Sequence, residues 1–289
     1  MSIEILAGFA DLAARYDGFI LDLWGVIHDG TKPYPGAVDT LKRLKALGKP
    51  TVLLSNAPRR ATALVEQMEK MGIGRHLYGG VMSSGEAVHL ELKARSAPVF
   101  ATLGQRLYHL GPERDRNVFE GLDYQDAPIE TADFILNTGP VDFSEAVADY
   151  EAVLAKGAAR KLPMVCANPD ITVMRLGVPI VCAGALAARY RELGGSVVER
   201  GKPDAAIYPA CLKELGLSSG QKPLAVGDGL HTDILGASAA GIDSALVTGG
   251  IHNAELGLAW GETPNAPALE KLFHHHGARP SVAIPTFCW

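Results

Sequence analysis

The residues able to do chemistry sit at the ends of apolar runs. Phe19-Ile20-Leu21 leads into Asp22, and Leu23-Trp24-Gly25-Val26 and Ile27-His28-Asp29-Gly30 follow. A short apolar run of this kind reads as a buried strand, where a carboxylate is costly unless paired or metal-bound. In an open parallel α/β sheet, ligands gather beyond the carboxyl ends of the strands, so an Asp there is placed to work. An Asp that merely caps the next turn fits this stretch equally well when it is taken alone. Two later runs also end in polar groups. Thr51 to Leu54 gives way to Ser55 and Asn56, and Pro223 to Gly227 gives way to Asp228, with Asp233 shortly after. A lysine, Lys202, lies between Gly201 and Pro203.

Together these residues fit phosphoryl chemistry. A dianionic phosphoryl group needs a nucleophile, a hydroxyl or amide cradle, a cation and a metal that spreads its charge. Asp22 suits the first role, Ser55 and Asn56 the second, and Lys202 the third, as a compact point charge. Three carboxylates converging at one strand edge, Asp22, Asp228 and Asp233, would repel unless a hard cation such as Mg2+ held them. Each piece has a plainer reading by itself: Gly201-Lys202-Pro203 as an exposed turn, Ser55-Asn56 as a helix cap, Gly227-Asp228-Gly229 as a turn. The order and spacing of all four are what is specific.

The elements that position them follow from periodicity. Ala37 to Leu47 repeats apolar residues at helical spacing and stops at Gly48. A helix from about Arg60 to Met71 and a short strand at Val81-Met82 come next. Strand–helix–strand alternation predicts a parallel sheet with right-handed crossovers. Ser83 to Glu86 reads as a hinge turn. Beyond it the chain carries its own strands (Val99–Ala101, Phe134–Leu136, Met164–Cys166) and helices (Ser144–Lys156, Ala183–Leu193). The first pattern resumes at Gly201, with a helix over Ala205–Leu215, the Asp228 strand, a small-residue helix ending near Ala240 and a strand over Ser244–Val247. After Thr263 come a helix (Ala268–His276) and an extended apolar end, Ser281 to Trp289. The expected architecture is α/β: a Rossmann-like parallel-sheet core of residues 1–83 and 200–289, with an inserted α/β cap domain over 84–199.

Composition narrows the partners. Of 289 residues, 47% are hydrophobic and 20% charged, and the formal charge is -5, so nucleic acid is disfavoured. Cys166, Cys182, Cys211 and Cys288 are scattered, which argues against a zinc or disulfide framework and for reduced thiols in the cytoplasm. Met1 to Tyr16 reads as an amphipathic helix, not a secretory signal, and no apolar run is long enough for a bilayer. His274 to His276 reads as a favourable helix C-terminus, since adjacent helical side chains do not share a face.

On these residues the chain resembles the haloacid dehalogenase superfamily, in its NagD-like, type IIA branch. Asp22-Leu23-Trp24-Gly25-Val26 is similar to its nucleophile motif, Leu54-Ser55-Asn56 to the second motif and Gly201-Lys202-Pro203 to the third. Gly227-Asp228-Gly229-Leu230-His231-Thr232-Asp233-Ile234 is similar to the metal motif. Pro35-Gly36-Ala37 and Asn168-Pro169-Asp170 match further features of the branch. The resemblance implies that Asp22 attacks phosphorus and forms an aspartyl-phosphate that water hydrolyses. It implies Mg2+ on Asp22, the Trp24 main-chain carbonyl and Asp228, with Asp233 as ligand or anchor behind a ligand. Ser55 and Lys202 would hold the phosphoryl oxygens, with Asn56 beside them. The expected partner is a small phosphorylated metabolite, without nucleic acid or membrane; a homodimer is compatible with the sequence.

The pattern breaks at Trp24. Most phosphatases of the superfamily carry a second Asp there, which protonates the leaving oxygen and later activates water. An indole has no proton that titrates near neutrality, and losing a general acid–base group costs ~10²–10⁴-fold. Three readings follow: a Mg2+-dependent phosphatase of weakened activity, a phosphate-ligand sensor or partner protein, and a carbon–halogen hydrolase. The last fits least, because dehalogenases of the superfamily lack the paired acidic motif present here. His28 and Asp29 are weak substitutes for the missing acid. Arg59, Glu86, Asn168 and Asp170 are candidate near-site residues.

Overall fold

The computed structural model describes residues 2–175 and 178–289. Its strands in chain order begin with β1 (Glu4–Ile5), β2 (Gly18–Asp22), β3 (Thr51–Ser55) and β4 (Gly80–Ser83). Next come β5 (Arg106–Leu110), β6 (Gln125–Asp126), β7 (Phe134–Asn137), β8 (Met164–Cys166), β9 (Thr172–Arg175), β10 (Val178–Val181) and β11 (Val197–Glu199). The last are β12 (Pro223–Gly227), β13 (Asp243–Val247) and β14 (Val282–Ile284). The chain forms two compact units. One holds the residues up to Ser55, Leu64–Met82 and Lys202–Trp289, and the other holds Asn56–Ala63 and Ser83–Gly201. The fold is α/β, with a Rossmann-like parallel core sheet and a separate parallel-sheet cap domain.

The first unit is built on a sheet of order β1-β14-β13-β12-β2-β3-β4. β2 lies between β12 and β3, parallel to both, with Leu21 opposite Val226 and Asp22 opposite Leu54. Every residue of β2 and β3 is buried, as the apolar runs require of a sheet covered on both faces. The helix Ala37–Ala46 buries Ala37, Thr40, Leu41 and Leu44, one face at helical spacing. The C-terminal end is more than an extended tail: β14 enters the sheet between β13 and β1, parallel to each. The N-terminal segment is partly strand, since β1 precedes a helix confined to Ala10–Arg15.

The second unit has a parallel sheet of order β11-β8-β7-β5-β6 and an antiparallel pair, β10-β9. The expected strand at Val99–Ala101 is instead a helical turn, Pro98–Thr102, with Phe100 fully buried. Short apolar runs fit either state, and Pro98 in the first turn favours the helix because its missing N–H is not needed there. The strand role passes to β5, where Leu107 and Leu110 are buried. The expected helix from Ser144 starts later: Asp142 Oδ1 accepts from the Ser144 amide and hydroxyl, a turn, before a tight turn at Val147–Tyr150 and the helix Glu151–Ala159. The stretch at Ser83–Glu86 is no open turn. Ser83 Oγ accepts from the Glu86 amide at 2.9 Å and caps the helix Ser84–Ala94. Among the described residues, no helix is long and apolar enough to cross a membrane.

Candidate active site

Three neighbouring parallel strands end in the residues that the sequence singles out. β2 ends at Asp22, β3 at Ser55, and β12 at Gly227, immediately before Asp228. Parallel strands share one carboxyl edge, so register alone brings these groups to the same side of the sheet. Asp233 follows on a turn of π-helix, Leu230–Ile234, that leads into the helix Leu235–Ala239. Asp22, Asp228 and Asp233 are all buried, and each offers a carboxylate oxygen within 4.8 Å of the others.

Lys202 joins them. Its Nζ donates to Asp22 Oδ1 at 2.6 Å and to Asp233 Oδ1 at 2.7 Å, and lies 3.4 Å from the Leu54 carbonyl oxygen. Burial works against charge on this lysine, yet Asp22 and Asp233 hold its proton well above the usual lysine range. Burial pushes the Asp22 carboxyl up; Lys202 opposes this, and the charges of Asp233 and Asp228 reinforce it. One ammonium among three carboxylates leaves surplus negative charge of the size that a divalent cation would neutralise. The donor set, carboxylate oxygens alone, suits a hard ion such as Mg2+.

The carboxylates are individually anchored. Asp228 Oδ2 accepts from the Ile251 amide at 2.7 Å. Asp233 Oδ2 accepts from the Gly229 amide at 3.1 Å and the Thr232 hydroxyl at 3.2 Å. Its other oxygen, Oδ1, accepts from Lys202 Nζ. Gly25 makes room for Asp228: its φ is +76°, and a Cβ there would fall 1.8 Å from Asp228 Oδ2. A Cβ on Gly250 would fall 2.1 Å from the same oxygen. Sequence reasoning had no signal for the Ile251 amide, a backbone donor brought in by a loop.

Trp24 is half-buried, its indole edge-on to the His28 ring at 5.6 Å and packed over Gly30. The two nearby substitutes for a second acid are engaged otherwise. His28 Nδ1 accepts from the Gly30 amide at 3.0 Å. Asp29 Oδ1 accepts from the Thr31 amide and hydroxyl and the Lys32 amide. Partial burial raises the Asp29 carboxyl, but those bonds outweigh it and lower it overall, the wrong direction for a proton donor. Tyr34, missed in the sequence, stacks on Trp260 with centroids 6.1 Å apart. Burial and then the Asp228 charge push its hydroxyl up to about 12.

Asn56 belongs to the other unit. Its Nδ2 donates to Asp170 Oδ1 at 2.8 Å, and its Oδ1 accepts from the Ser84 hydroxyl at 3.3 Å. Asn168 Oδ1 accepts from the Asp170 amide at 3.0 Å. A Cβ on Gly201 would lie 2.0 Å from Ser84 Oγ and 2.7 Å from Asn56 Oδ1. Within that unit, three points where the chain enters or leaves it are therefore packed together. Arg59 lies 3.9 Å from Asp115, whose carboxyl is pushed up to about 6 by burial, against Arg59 and Arg114. Glu86 accepts from Arg60 at 2.6 Å and from the Ala61 amide at 3.0 Å.

Comparison with known proteins agrees with this architecture. A family model described as haloacid dehalogenase-like hydrolase matches residues 19–125, and a second model of HAD-like hydrolases matches residues 199–273. A hydrolase structure of the haloacid dehalogenase-like family from Brucella suis 1330 is 33% identical. It covers 96% of this chain and 98% of its own, with a TM-score of 0.82. The chain belongs to the haloacid dehalogenase-like hydrolases. It is also similar to the D-glycerol 3-phosphate phosphatase of Mycobacterium tuberculosis, at 28% identity over 276 residues, 93% of this chain and 71% of that protein. The structure of a glycerol phosphate phosphatase from Mycobacterium tuberculosis in complex with magnesium shares the fold. It is 24% identical, covers 87% of this chain and 71% of its own, and has a TM-score of 0.65.

Proposed function

We propose that this protein is a Mg2+-dependent phosphomonoester hydrolase acting on a small phosphorylated metabolite through an aspartyl-phosphate on Asp22. The observation that carries the reading is the buried Lys202 ammonium bridging Asp22 and Asp233, with Asp228 in the same cluster. Similarity to a glycerol phosphate phosphatase supports the substrate class. A carboxylate oxygen of Asp22 attacks phosphorus as the bond from phosphorus to the ester oxygen breaks. The departing alkoxide takes a proton from solvent; water then attacks the phosphoryl group, giving up a proton to solvent, releasing phosphate and restoring the carboxylate. Lys202 orients Asp22 and offers its ammonium to the phosphoryl oxygens, as Ser55 offers its hydroxyl. Asn56, next to Ser55 in the chain, is the further substrate-binding residue. Asp22, Asp228 and the Trp24 carbonyl would hold Mg2+, anchored by Asp233, and the ion would supply charge neutralisation of the phosphoryl group. The domain spanning roughly 84–199 serves as the cap that selects the leaving group. The four free cysteines fit a reducing, cytoplasmic setting.

Trp24 supports a second reading, a phosphate-ligand binder with impaired turnover, because no titratable side chain occupies its position. A screen of glycerol phosphates, nucleoside monophosphates, sugar phosphates and 4-nitrophenyl phosphate, with and without Mg2+, distinguishes the two. The phosphatase reading expects Mg2+-dependent phosphate release from at least one ester that Asp22→Asn abolishes. Binding of phosphate esters without release favours the second reading.

A further inference from the structure

A second group of ligating side chains lies on other elements of the first unit and takes no part in the chemistry above. His276 is the last residue of the helix Ala266–His276, Glu255 lies in the short helix Asn253–Leu256, and His252 directly precedes that helix. His276 Nε2 is 3.0 Å from Glu255 Oε2, and His252 Nδ1 is 3.4 Å from the same oxygen. Each of the three residues offers a ligand atom within 4.8 Å of the others. On its far side, His276 Nδ1 meets His231 Nε2 at 2.8 Å.

We propose that His252, Glu255 and His276 form a binding site for a transition dication of the zinc class, with His231 orienting the His276 ring. Ligands at the usual ~2.0–2.2 Å from a tetrahedral zinc ion stand about 3.3–3.5 Å apart, so the two contacts to Glu255 are close to the required spacing. Two imidazoles and one carboxylate suit zinc, cobalt or nickel and are a poor set for Mg2+. Once Nε2 of His276 is a ligand, its Nδ1–H can donate to His231, the partner that fixes tautomer and ring angle in metal-bound histidines. Loading has one cost. His252 Nε2 accepts from the Leu230 amide at 3.3 Å, which puts the imidazole proton on Nδ1. Metal on Nδ1 moves that proton to Nε2, where it faces the Leu230 N–H donor against donor, so loading requires the His252 ring and that amide to move apart. The Glu255 side chain is 44% exposed while those of His252 and His276 are 10% and 15% exposed, so the carboxylate forms the solvent-facing side of the site. A bound ion would tie the C-terminal helix to the segment whose Ile251 amide holds Asp228.

The test uses the full chain in excess Mg2+, so that the carboxylate cluster of Asp22 does not compete, with Zn2+ titrated during equilibrium dialysis. Co2+ in place of Zn2+ reports ligand number through its visible absorption. The expected result is one high-affinity equivalent of Zn2+ and a rise in melting temperature. Glu255→Gln and His276→Gln should each weaken binding ~10-fold or more, taking the 10–100-fold loss for an outer partner as the floor. His274→Gln, an exposed neighbour, should bind as the parent does. Glu255→Gln, on the exposed side, keeps the test valid if His276→Gln does not fold. No retained Zn2+ in the parent, or unchanged binding in Glu255→Gln, would overturn the proposal and leave a hydrogen-bonded network without a metal.

Discussion

Lys202 donates to Asp22 across 2.6 Å in a part of the core where both side chains are nearly inaccessible, at 4% and 8% exposure. Removing one partner of a buried pair leaves an uncompensated charge, at a cost of ~3–5 kcal/mol. Lys202→Met should therefore lower stability by about that much in metal-free buffer. Mg2+ should restore more stability to the variant than it adds to the parent, since it then balances all three carboxylates. Denaturant unfolding with and without Mg2+ checks this; equal Mg2+ increments in both proteins would contradict it.

Gly25 faces Asp228 closely enough that any side chain displaces the carboxylate. Gly25→Ala should cost about 1–2 kcal/mol for its left-handed backbone. It should also raise the Mg2+ concentration needed for half-maximal activity. Melting curves and a Mg2+ titration of phosphate release measure the two effects separately.

Trp24→Asp asks whether a missing acid is the defect. It should raise kcat/KM for an alkyl phosphate by ~10-fold or more, part of the 10²–10⁴-fold that general acid–base catalysis supplies. An aryl phosphate, whose leaving oxygen departs unaided, should gain little. A folded, Mg2+-binding variant with no gain on either ester would put the binding reading ahead.

Asp115, in the second unit, gives a pH signature of its own. Its folded carboxyl titrates at about 6 against an ordinary 3.8, so the folded state holds its proton more tightly. This contribution is fully present below the ordinary value and is lost as pH rises through the folded one. Asp115→Asn lacks that titration, so its stability relative to the parent should improve by about 2 kcal/mol between pH 4.5 and 7. Denaturant unfolding at both pH values checks the slope, and a pH-independent difference would contradict it.

The core strands were legible because Phe19–Leu21 and Val52–Leu54 are short apolar runs that end in polar groups, a pattern local to each strand. Val99–Ala101 misled for the same reason: a run that short carries no period, and Pro98 decided it. The capped helix at Ser84 was readable in principle from Ser83 and Glu86 three residues apart, and the turn reading missed it. His276 could not have been read from its neighbours. Adjacent histidines share no helix face, but His231, His252 and Glu255 reach one of them from elsewhere in the chain. The Ile251 amide on Asp228 is likewise a tertiary fact with no side chain to announce it.

The most direct test is Asp22→Asn, which keeps the shape of the side chain and removes the proposed nucleophile. Release of phosphate from 4-nitrophenyl phosphate would be followed in Mg2+, with both proteins purified free of other phosphatases and checked for folding. The expected result is turnover in the parent and none above background in the variant. Hydrolysis by a folded Asn variant at the parent rate would contradict it.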